Sequence, residues 1–325
     1  MLFNPTLNLD IIREDDFSAQ IAHIEDELSK YSTAGEFASF DGCSISYEYF
    51  KADNSKASIV LLHGFTEFYK KLYEMTWYFL HMGYNVFLYD QRGHGLSGRS
   101  NKLLSTTHVD TFDDYVKDLE LFMDKIVVPN SEDKPVHILG HSMGGAVVTM
   151  FLMNNTHKVD RVILSSPMIC PKTHGFPNFF VDMIAVRYGK KEGWSKRFPH
   201  SSDFNPNPNF YNSSDSSKAR FEHNLKHRIE NEHYQNSSFT NGWIHQALKI
   251  KKHILNPKNI AKIKNKTLLI SAQDDKVVYS SLHMKLAKKM SDCTLISIPG
   301  AKHTVYTATE PLLKMFYDTL FEFLK

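Results

Sequence analysis

Short runs of apolar residues recur along the middle and end of the chain. Each run is five or six residues long and has few polar positions, which is typical of strands buried on both faces of a parallel sheet. Helical stretches lie between them; in 112–127 the apolar residues recur at steps of three and four. The alternation predicts an α/β fold with a mostly parallel, doubly wound sheet. The predicted strands are 57–62, 84–89, 136–140, 161–166, 267–271 and 294–299.

The start of the chain follows a different pattern. Residues 1–34 are acidic, and 17–31 have a helical period, so we expect a leader that packs on the surface of the core. Strand-like sequences flank Asp41-Gly42, the turn chemistry of a hairpin. This predicts two antiparallel strands before the first parallel one.

A long gap interrupts the alternation after Ser166. About 100 residues pass before the next predicted strand, far beyond a usual strand–helix connection. The gap combines an aromatic and aliphatic stretch at 176–188 with a polar, turn-rich stretch at 205–218, which favours a mobile cap over a pocket. The predicted division is a leader at 1–34, a core at 35–168, a cap at 169–258 and the rest of the core at 259–325.

Composition narrows the class of protein. With 325 residues and 42% hydrophobic positions, the chain can bury a large core, which excludes disorder as a description of the whole. Lys+Arg 38 against Asp+Glu 36 leaves a net charge of +2, too little to hold a phosphate backbone, so no nucleic-acid partner is expected. The cysteines are dispersed and predict neither a disulfide framework nor a thiolate metal site.

The sequence shows neither the pattern of a secretory signal peptide nor a membrane-spanning run. We therefore expect a cytoplasmic protein, or one peripheral to the inner face of the membrane. The stretch 249–266 contains seven lysines and no acid. It could contact anionic lipid, although a solvated linker face is the favoured interpretation.

A G-x-S-x-G motif follows the predicted strand 136–140 directly. It reads GHSMG at 140–144 and precedes an apolar helical stretch, which is the context of a nucleophile elbow. The glycines matter because the serine occupies a strained strand-to-helix turn, where side chains two residues away would collide. The motif predicts Ser142 as a nucleophile raised above the sheet, with a helix N-terminus behind it.

A serine hydroxyl needs a general base, and the base needs a group that fixes its tautomer. In this architecture the chain order is serine, acid, histidine. Asp274 and Asp275 follow the strand 267–271, and His303 follows the last strand, so all lie at the edge of the sheet where catalytic groups collect. We expect His303 to be the base. The residue pattern alone leaves either aspartate open as its partner.

A tetrahedral intermediate needs two backbone donors. One is the N–H of Met143, directly after the nucleophile, and the other comes from the loop after the first parallel strand, where Gly64 permits a tight turn. This predicts Phe65 as the second donor. The charged loop at 90–97 is interpreted as a rigid, hydrogen-bonded structural loop, with contact to substrate as the alternative.

Five motifs follow one another along the chain: HGFTE at 63–67, DQRGHGLS at 90–97, GHSMGG at 140–145, AQDDKVV at 272–278 and GAKH at 300–303. Together they resemble those of an α/β-hydrolase of the bacterial lysophospholipase and monoacylglycerol lipase group. The resemblance implies a helical cap inserted between the sixth and seventh core strands. It also implies a triad of Ser142, Asp275 and His303, with an oxyanion hole formed by Phe65 and Met143.

The aromatic stretch 176–188 bears on the substrate. It could line a channel for an acyl chain, in which each buried methylene contributes ~0.8 kcal/mol, or it could form the core of the cap. The candidate substrate-contacting residues are His63, Glu67, Phe176, Phe179 and Phe180.

These features predict a serine hydrolase that cleaves carboxylic esters of acyl chains, lysophospholipid or monoacylglycerol, through an acyl-enzyme intermediate. This chemistry needs no cofactor and no metal. A small-ester carboxylesterase or an aminopeptidase of the same fold is an alternative, as is a non-catalytic ligand-binding homologue. A cap rich in Lys, His and Asn disfavours the aminopeptidase, and an intact triad disfavours the pure binder. Acyl chain length, head group and oligomeric state depend on geometry that no motif encodes.

Overall fold

A computed structural model describes residues 10–100, 103–173, 175–199 and 201–325. The first nine residues of the predicted leader therefore lie outside the described part. The strands are β1 Thr33–Ala38, β2 Ser44–Phe50, β3 Ala57–Leu62, β4 Tyr84–Tyr89, β5 Thr106–Thr107, β6 Val136–His141, β7 Arg161–Ser165, β8 Ser238–Phe239, β9 Lys266–Ala272 and β10 Cys293–Ile298. The helices are α1 Phe17–Tyr31, α2 Tyr73–His81, α3 Phe112–Phe122, α4 Val128–Asn130, α5 Met143–Asn155, α6 Asn178–Glu192, α7 Lys218–Glu230, α8 Asn241–Ile254, α9 Pro257–Ile260, α10 Ser280–Ala287 and α11 Glu310–Leu324.

An eight-stranded sheet forms the centre of the fold, in the order β1-β2-β4-β3-β6-β7-β9-β10. β1 and β2 form the expected antiparallel hairpin, β2 runs antiparallel to β4, and the remaining neighbours are parallel. The six strands predicted from apolar runs are all present, with ends within one residue of the prediction. The predicted mostly parallel α/β sheet is confirmed.

Helices cover both faces of this sheet because successive strand side chains point to opposite sides. On β3, Val60 and Leu62 pack with residues of α3, α5, α8 and α10. Ile59 and Leu61, which alternate with them along the strand, pack with residues of α1, α2 and α11 on the other face. All four side chains are fully buried. A strand buried on both faces explains why its sequence is an unbroken apolar run.

The insertion predicted from the long gap lies between β7 and β9, the sixth and seventh strands of the main sheet in chain order. It contains α6, α7 and α8. The apolar face of α8, including Trp243 and Ala247, packs with α3 and α5 in the core. On α6, by contrast, only Ala185 and Gly189 are buried. The two-residue strands β5 and β8 pair in parallel and join the insertion to the loop after β4. The boundary of the cap at 169–258 remains a prediction, and residues 174 and 200 within it lie outside the described part.

The lysines of 249–266 all point to solvent, while Ile250, Ile254, Ile260 and Ile263 between them are buried. This is the distribution of a solvated face on a packed segment, and contact with anionic lipid stays a prediction. Among the described residues, no helix is both long and apolar enough to span a membrane.

Candidate active site

Ser142 occupies a sharp turn between β6 and α5. Its backbone has φ +51° and ψ −114°, a region that residues with a side chain rarely adopt. The flanking glycines allow this turn: a Cβ on Gly140 would lie 2.6 Å from the Gly144 carbonyl oxygen, and one on Gly144 would lie 2.7 Å from the Leu62 carbonyl oxygen. A side chain at either glycine would therefore collide with backbone atoms, as the motif predicts, and the turn has the shape of a nucleophile elbow.

His303 joins Ser142 to Asp275. The Ser142 hydroxyl donates to His303 Nε2 at 2.8 Å, and His303 Nδ1 donates to Asp275 Oδ2 at 2.6 Å. All three residues are buried, yet Ser142 and His303 line a cavity. Residues 161 positions apart are thus brought into one hydrogen-bonded series by the shared edge of the sheet.

Asp275, and not Asp274, faces the imidazole. Its second oxygen, Oδ1, accepts the N–H groups of Val277 at 2.7 Å and Val278 at 2.9 Å. Burial opposes ionisation of this carboxyl, but the hydrogen bond from His303 and the two backbone donors hold its pKa below the usual value. Asp274 is exposed, and its backbone N–H donates to the Ala301 carbonyl.

The loop after β3 lies against Ser142. A Cβ on Gly64 would come within 3.1 Å of Ser142 Cβ, so the next residue, Phe65, begins directly beside Ser142. Met143 is the first residue of α5, where a backbone N–H has no helical acceptor one turn earlier. Both amides predicted as oxyanion donors are therefore next to Ser142.

Glu67 holds this loop in shape. Its carboxylate accepts the Gly64 N–H at 2.6 Å, Lys71 Nζ at 2.8 Å and the Tyr306 hydroxyl at 2.8 Å. Burial disfavours the charged form, yet Lys71 and these hydrogen bonds hold the pKa of Glu67 well below its usual range. Although Glu67 reaches the cavity wall, its oxygens are already occupied by the protein.

His63, expected from the sequence to contact substrate, is instead fully buried behind the loop. Its Nε2 accepts the Gln91 N–H at 3.0 Å, which leaves the hydrogen on Nδ1, donated to the Gly64 carbonyl at 2.7 Å. Both ring nitrogens therefore bond backbone groups, and His63 is not among the residues that line the cavity. The sequence motif could not distinguish these roles, because a histidine beside an oxyanion loop suits both.

The loop at 90–97 is the rigid structural loop favoured from the sequence. Asp90 accepts the Tyr69 N–H at 2.7 Å and the Leu96 N–H at 2.8 Å. A Cβ on Gly95 would lie 1.9 Å from the same carboxylate, so only glycine fits there. Arg92, in the same loop, forms a buried ion pair with Asp118.

A cavity of about 1200 Å³ opens above Ser142 and extends under the insertion. Phe176 and Phe180, two predicted substrate contacts, line it, and the Phe179 ring packs against Phe180 at a tilt of 32° with ring centroids 4.1 Å apart. Phe176, Phe180 and Phe179 are 68%, 45% and 64% exposed. Phe176 and Phe180 thus form part of the cavity wall, whereas Phe179, the third predicted contact in this stretch, does not line the cavity and reaches it only through Phe180. The alternative, that this stretch is the core of the cap, does not hold for these residues.

Other lining residues come from segments that the sequence did not single out. Phe198, Phe239 and Trp243 add aromatic surface, and Trp243 lies 4.1 Å from Phe65 between ring centroids. Arg228, on α7, contributes a cation to the wall. The aromatic content of the insertion was a signal for Phe198 and Phe239, but the inward direction of α7 was visible only in the folded chain.

Comparison with known proteins gives the family. A family model described as serine aminopeptidase, S33 matches residues 53–310, which includes Ser142, Asp275 and His303. The chain belongs to this family. Lysophospholipase L2 of Escherichia coli is 26% identical over 319 residues, covering 95% of this chain and 88% of the relative. Monoglyceride lipase of Saccharomyces cerevisiae is 29% identical over 164 residues, 48% of this chain and 50% of the relative.

The fold comparison agrees with this membership. The chain is similar in fold to the crystal structure of a soluble variant of monoglyceride lipase from Saccharomyces cerevisiae in complex with a substrate analogue. The TM-score between the two is 0.73 at 20% sequence identity, and the match covers 91% of this chain and 95% of that one. This member of the S33 family is a hydrolase with the α/β-hydrolase fold. The resemblance inferred from the motifs is confirmed.

Proposed function

We propose that this chain is a serine hydrolase that cleaves the ester of a single acyl chain in a lysophospholipid or monoacylglycerol. Ser142 is the nucleophile, His303 the general base and Asp275 the group that orients it. The N–H groups of Phe65 and Met143 bind the oxyanion. The observation that carries the proposal is the hydrogen-bonded series from Asp275 through His303 to Ser142, opening into a large cavity with aromatic walls.

The reaction follows from this geometry. His303 Nε2 accepts the proton as Ser142 Oγ attacks the ester carbonyl, and the two amides stabilise the negative oxygen of the tetrahedral intermediate. Collapse of this intermediate breaks the ester bond, and the alcohol leaves with the proton from His303. Water then attacks the acyl-enzyme by the same proton transfer and releases the fatty acid. The carboxylate of Asp275 stabilises the positive charge of the His303 imidazolium, which forms twice in the cycle.

Three alternatives are less well supported. An aminopeptidase needs a carboxylate for the free amine of its substrate, but Glu67 and Asp215, acids of the cavity wall, both already pair with Lys71, at 2.8 and 3.4 Å. A small-ester hydrolase needs far less than the volume present. A pure binding protein has no need of a base held 2.8 Å from a serine hydroxyl.

Acyl chain length gives a direct test of the cavity. We expect kcat/KM for p-nitrophenyl esters to rise from two carbons to roughly eight to twelve, because each buried methylene contributes ~0.8 kcal/mol. Phe180→Ala should reduce the rate on ten-carbon esters and leave that on acetate nearly unchanged. Tyr211→Ala is the matched control, since Tyr211 is an aromatic residue of the insertion that is 84% exposed. A steady fall from acetate onward would favour a small-ester enzyme.

The head group can be assigned through Arg228. Its Nε and Nη2 donate to the carbonyls of Tyr234 and Asn236, which hold the guanidinium at the cavity wall. Burial lowers the pKa of Arg228 to about 10, so the group remains charged at neutral pH and suits a phosphate.

We expect Arg228→Gln to raise KM for a lysophosphatidyl substrate about 10-fold, because one charged hydrogen bond to the phosphate is lost. The same substitution should change kcat/KM for monoacylglycerol less than about 3-fold. Lys226→Gln, an exposed cation on the same helix, is the matched control. Equal losses on both substrates would mean that Arg228 only supports the loop, and the head-group assignment would then be wrong.

A further inference from the structure

Three metal-ligating side chains meet between α1 and α7, away from the active-site series. His227 Nε2 lies 2.8 Å and His223 Nε2 lies 3.0 Å from the same oxygen, Glu25 Oε1. The two imidazole nitrogens are 3.2 Å apart. The three atoms thus form a small triangle, drawn from helices about 200 residues apart in sequence.

This triangle has the composition and nearly the size of a metal site. Two histidines four residues apart share one face of a helix, and two imidazoles with a carboxylate are a zinc ligand set. Ligand bonds of about 2.0–2.2 Å in tetrahedral geometry place neighbouring ligand atoms about 3.3–3.6 Å apart. To admit an ion, the separations of 2.8, 3.0 and 3.2 Å must widen by between about 0.1 and 0.8 Å, a change within the reach of side-chain torsions.

The surroundings hold the ligands while leaving them accessible. Phe17 packs edge-on against His223, with ring centroids 5.7 Å apart, and Phe68 packs edge-on against His227 at 6.0 Å. The side chains of both histidines are 18% exposed and that of Glu25 is 25% exposed. The rings are therefore fixed by packing, and an ion can reach them from solvent.

We propose that Glu25, His223 and His227 form a binding site for a divalent transition metal, with Zn²⁺ as the best match and water in the fourth position. Imidazole nitrogen together with one carboxylate favours Zn²⁺ over Ca²⁺ or Mg²⁺, which prefer oxygen ligands throughout. The site supplies no group to the hydrolysis and is independent of the proposed function.

The position of the site gives it a structural consequence. α1 packs on the core through Ile21, Ile24 and Leu28, whereas α7 belongs to the insertion. α7 also contributes Asn224 and Arg228 to the wall of the cavity. An ion bound between the two helices fixes this wall relative to the core, and its binding free energy adds to the stability of that arrangement.

Titration of the full chain with Zn²⁺ tests the site. After treatment with EDTA and dialysis, we expect calorimetry to show one equivalent of Zn²⁺ bound, with a rise of a few degrees in the thermal midpoint as free Zn²⁺ exceeds its Kd. Co²⁺ bound at the same site should give the strong visible absorption of tetrahedral coordination, which Zn²⁺ then abolishes. These readouts do not depend on activity.

Variants locate the ion. His223→Gln, His227→Gln and Glu25→Gln should each weaken Zn²⁺ binding by at least ~10-fold, since loss of even an outer-shell partner has that effect. His253→Gln, an exposed histidine of α8, is the matched control and should bind as the unaltered chain does. Far-ultraviolet circular dichroism in EDTA checks that each variant is folded.

Two results would overturn the proposal. One is the absence of stoichiometric Zn²⁺ binding and of a tetrahedral Co²⁺ spectrum in the unaltered chain, a result that no folding defect of a variant can explain. The other is full-affinity binding that survives both histidine substitutions. In either case the three groups act only as a hydrogen-bonded contact between α1 and α7.

Discussion

Ser142→Ala should abolish ester hydrolysis and labelling by a fluorophosphonate probe while the chain stays folded. Removing the nucleophile of a serine triad lowers turnover by up to ~10⁶, because the base then has no hydroxyl to activate. Alanine keeps the backbone of the elbow, since the positive φ of Ser142 strains any residue with a Cβ to a similar degree. The measurements are kcat/KM on a p-nitrophenyl ester, gel fluorescence after labelling, and the thermal midpoint.

Ser201→Ala is the matched control for this experiment. Ser201 lines the same cavity, but its hydroxyl donates to the Phe198 carbonyl at 2.7 Å and, among the residues that the structure describes, has no hydrogen bond to an imidazole. We expect its activity and labelling to be within about twofold of the unaltered chain, as for most substitutions outside the reacting groups. Labelling that persists in Ser142→Ala would move the nucleophile elsewhere.

The central sheet could be predicted because its information is local. A strand buried on both faces must be apolar at every position, so β3 and β4 stand out in the sequence with their correct ends. The elbow is equally local, since Gly140 and Gly144 are required by collisions within a few residues of Ser142. His303 followed from chain order and from the edge of the sheet where parallel strands end.

The cavity wall could not be predicted in the same way. α7 has a polar sequence, and which of its faces turns towards the cavity and which towards α1 depends on how it packs. The pairing of Glu25 with His223 and His227 joins two segments that share no sequence pattern. His63 was misassigned for a related reason: its role is set by the Gln91 N–H, which another loop supplies.

The orientation of His303 by Asp275 leads to the second large expected effect. Asp275→Asn should lower turnover by at least ~10², and the loss in related triads reaches ~10⁴. Asp274→Asn should change turnover less than ~10-fold, because Asp274 is exposed and its backbone, not its carboxylate, bonds Ala301. The two variants remove the same charge one residue apart, so each is the control for the other.

The reason for this loss lies in the hydrogen bonds of the carboxylate. Oδ1 accepts two N–H groups, from Val277 and Val278, and Oδ2 accepts one, from His303. An asparagine has one oxygen and one NH₂. Its oxygen is best placed on the two backbone donors, because an NH₂ there would leave both of them unpaired.

In the Asp275→Asn variant the side-chain NH₂ then points at His303 Nδ1, which must accept a hydrogen bond and carry no hydrogen. The hydrogen of the neutral imidazole moves to Nε2, the nitrogen that has to accept the proton from Ser142. The base is thus held 2.8 Å from the nucleophile in the wrong tautomer, with the fold intact. Steady-state kinetics on both variants and ¹⁵N NMR of the imidazole test this directly: we expect hydrogen on Nδ1 in Asp274→Asn and on Nε2 in Asp275→Asn, and the reverse ranking of rates would make Asp274 the orienting acid.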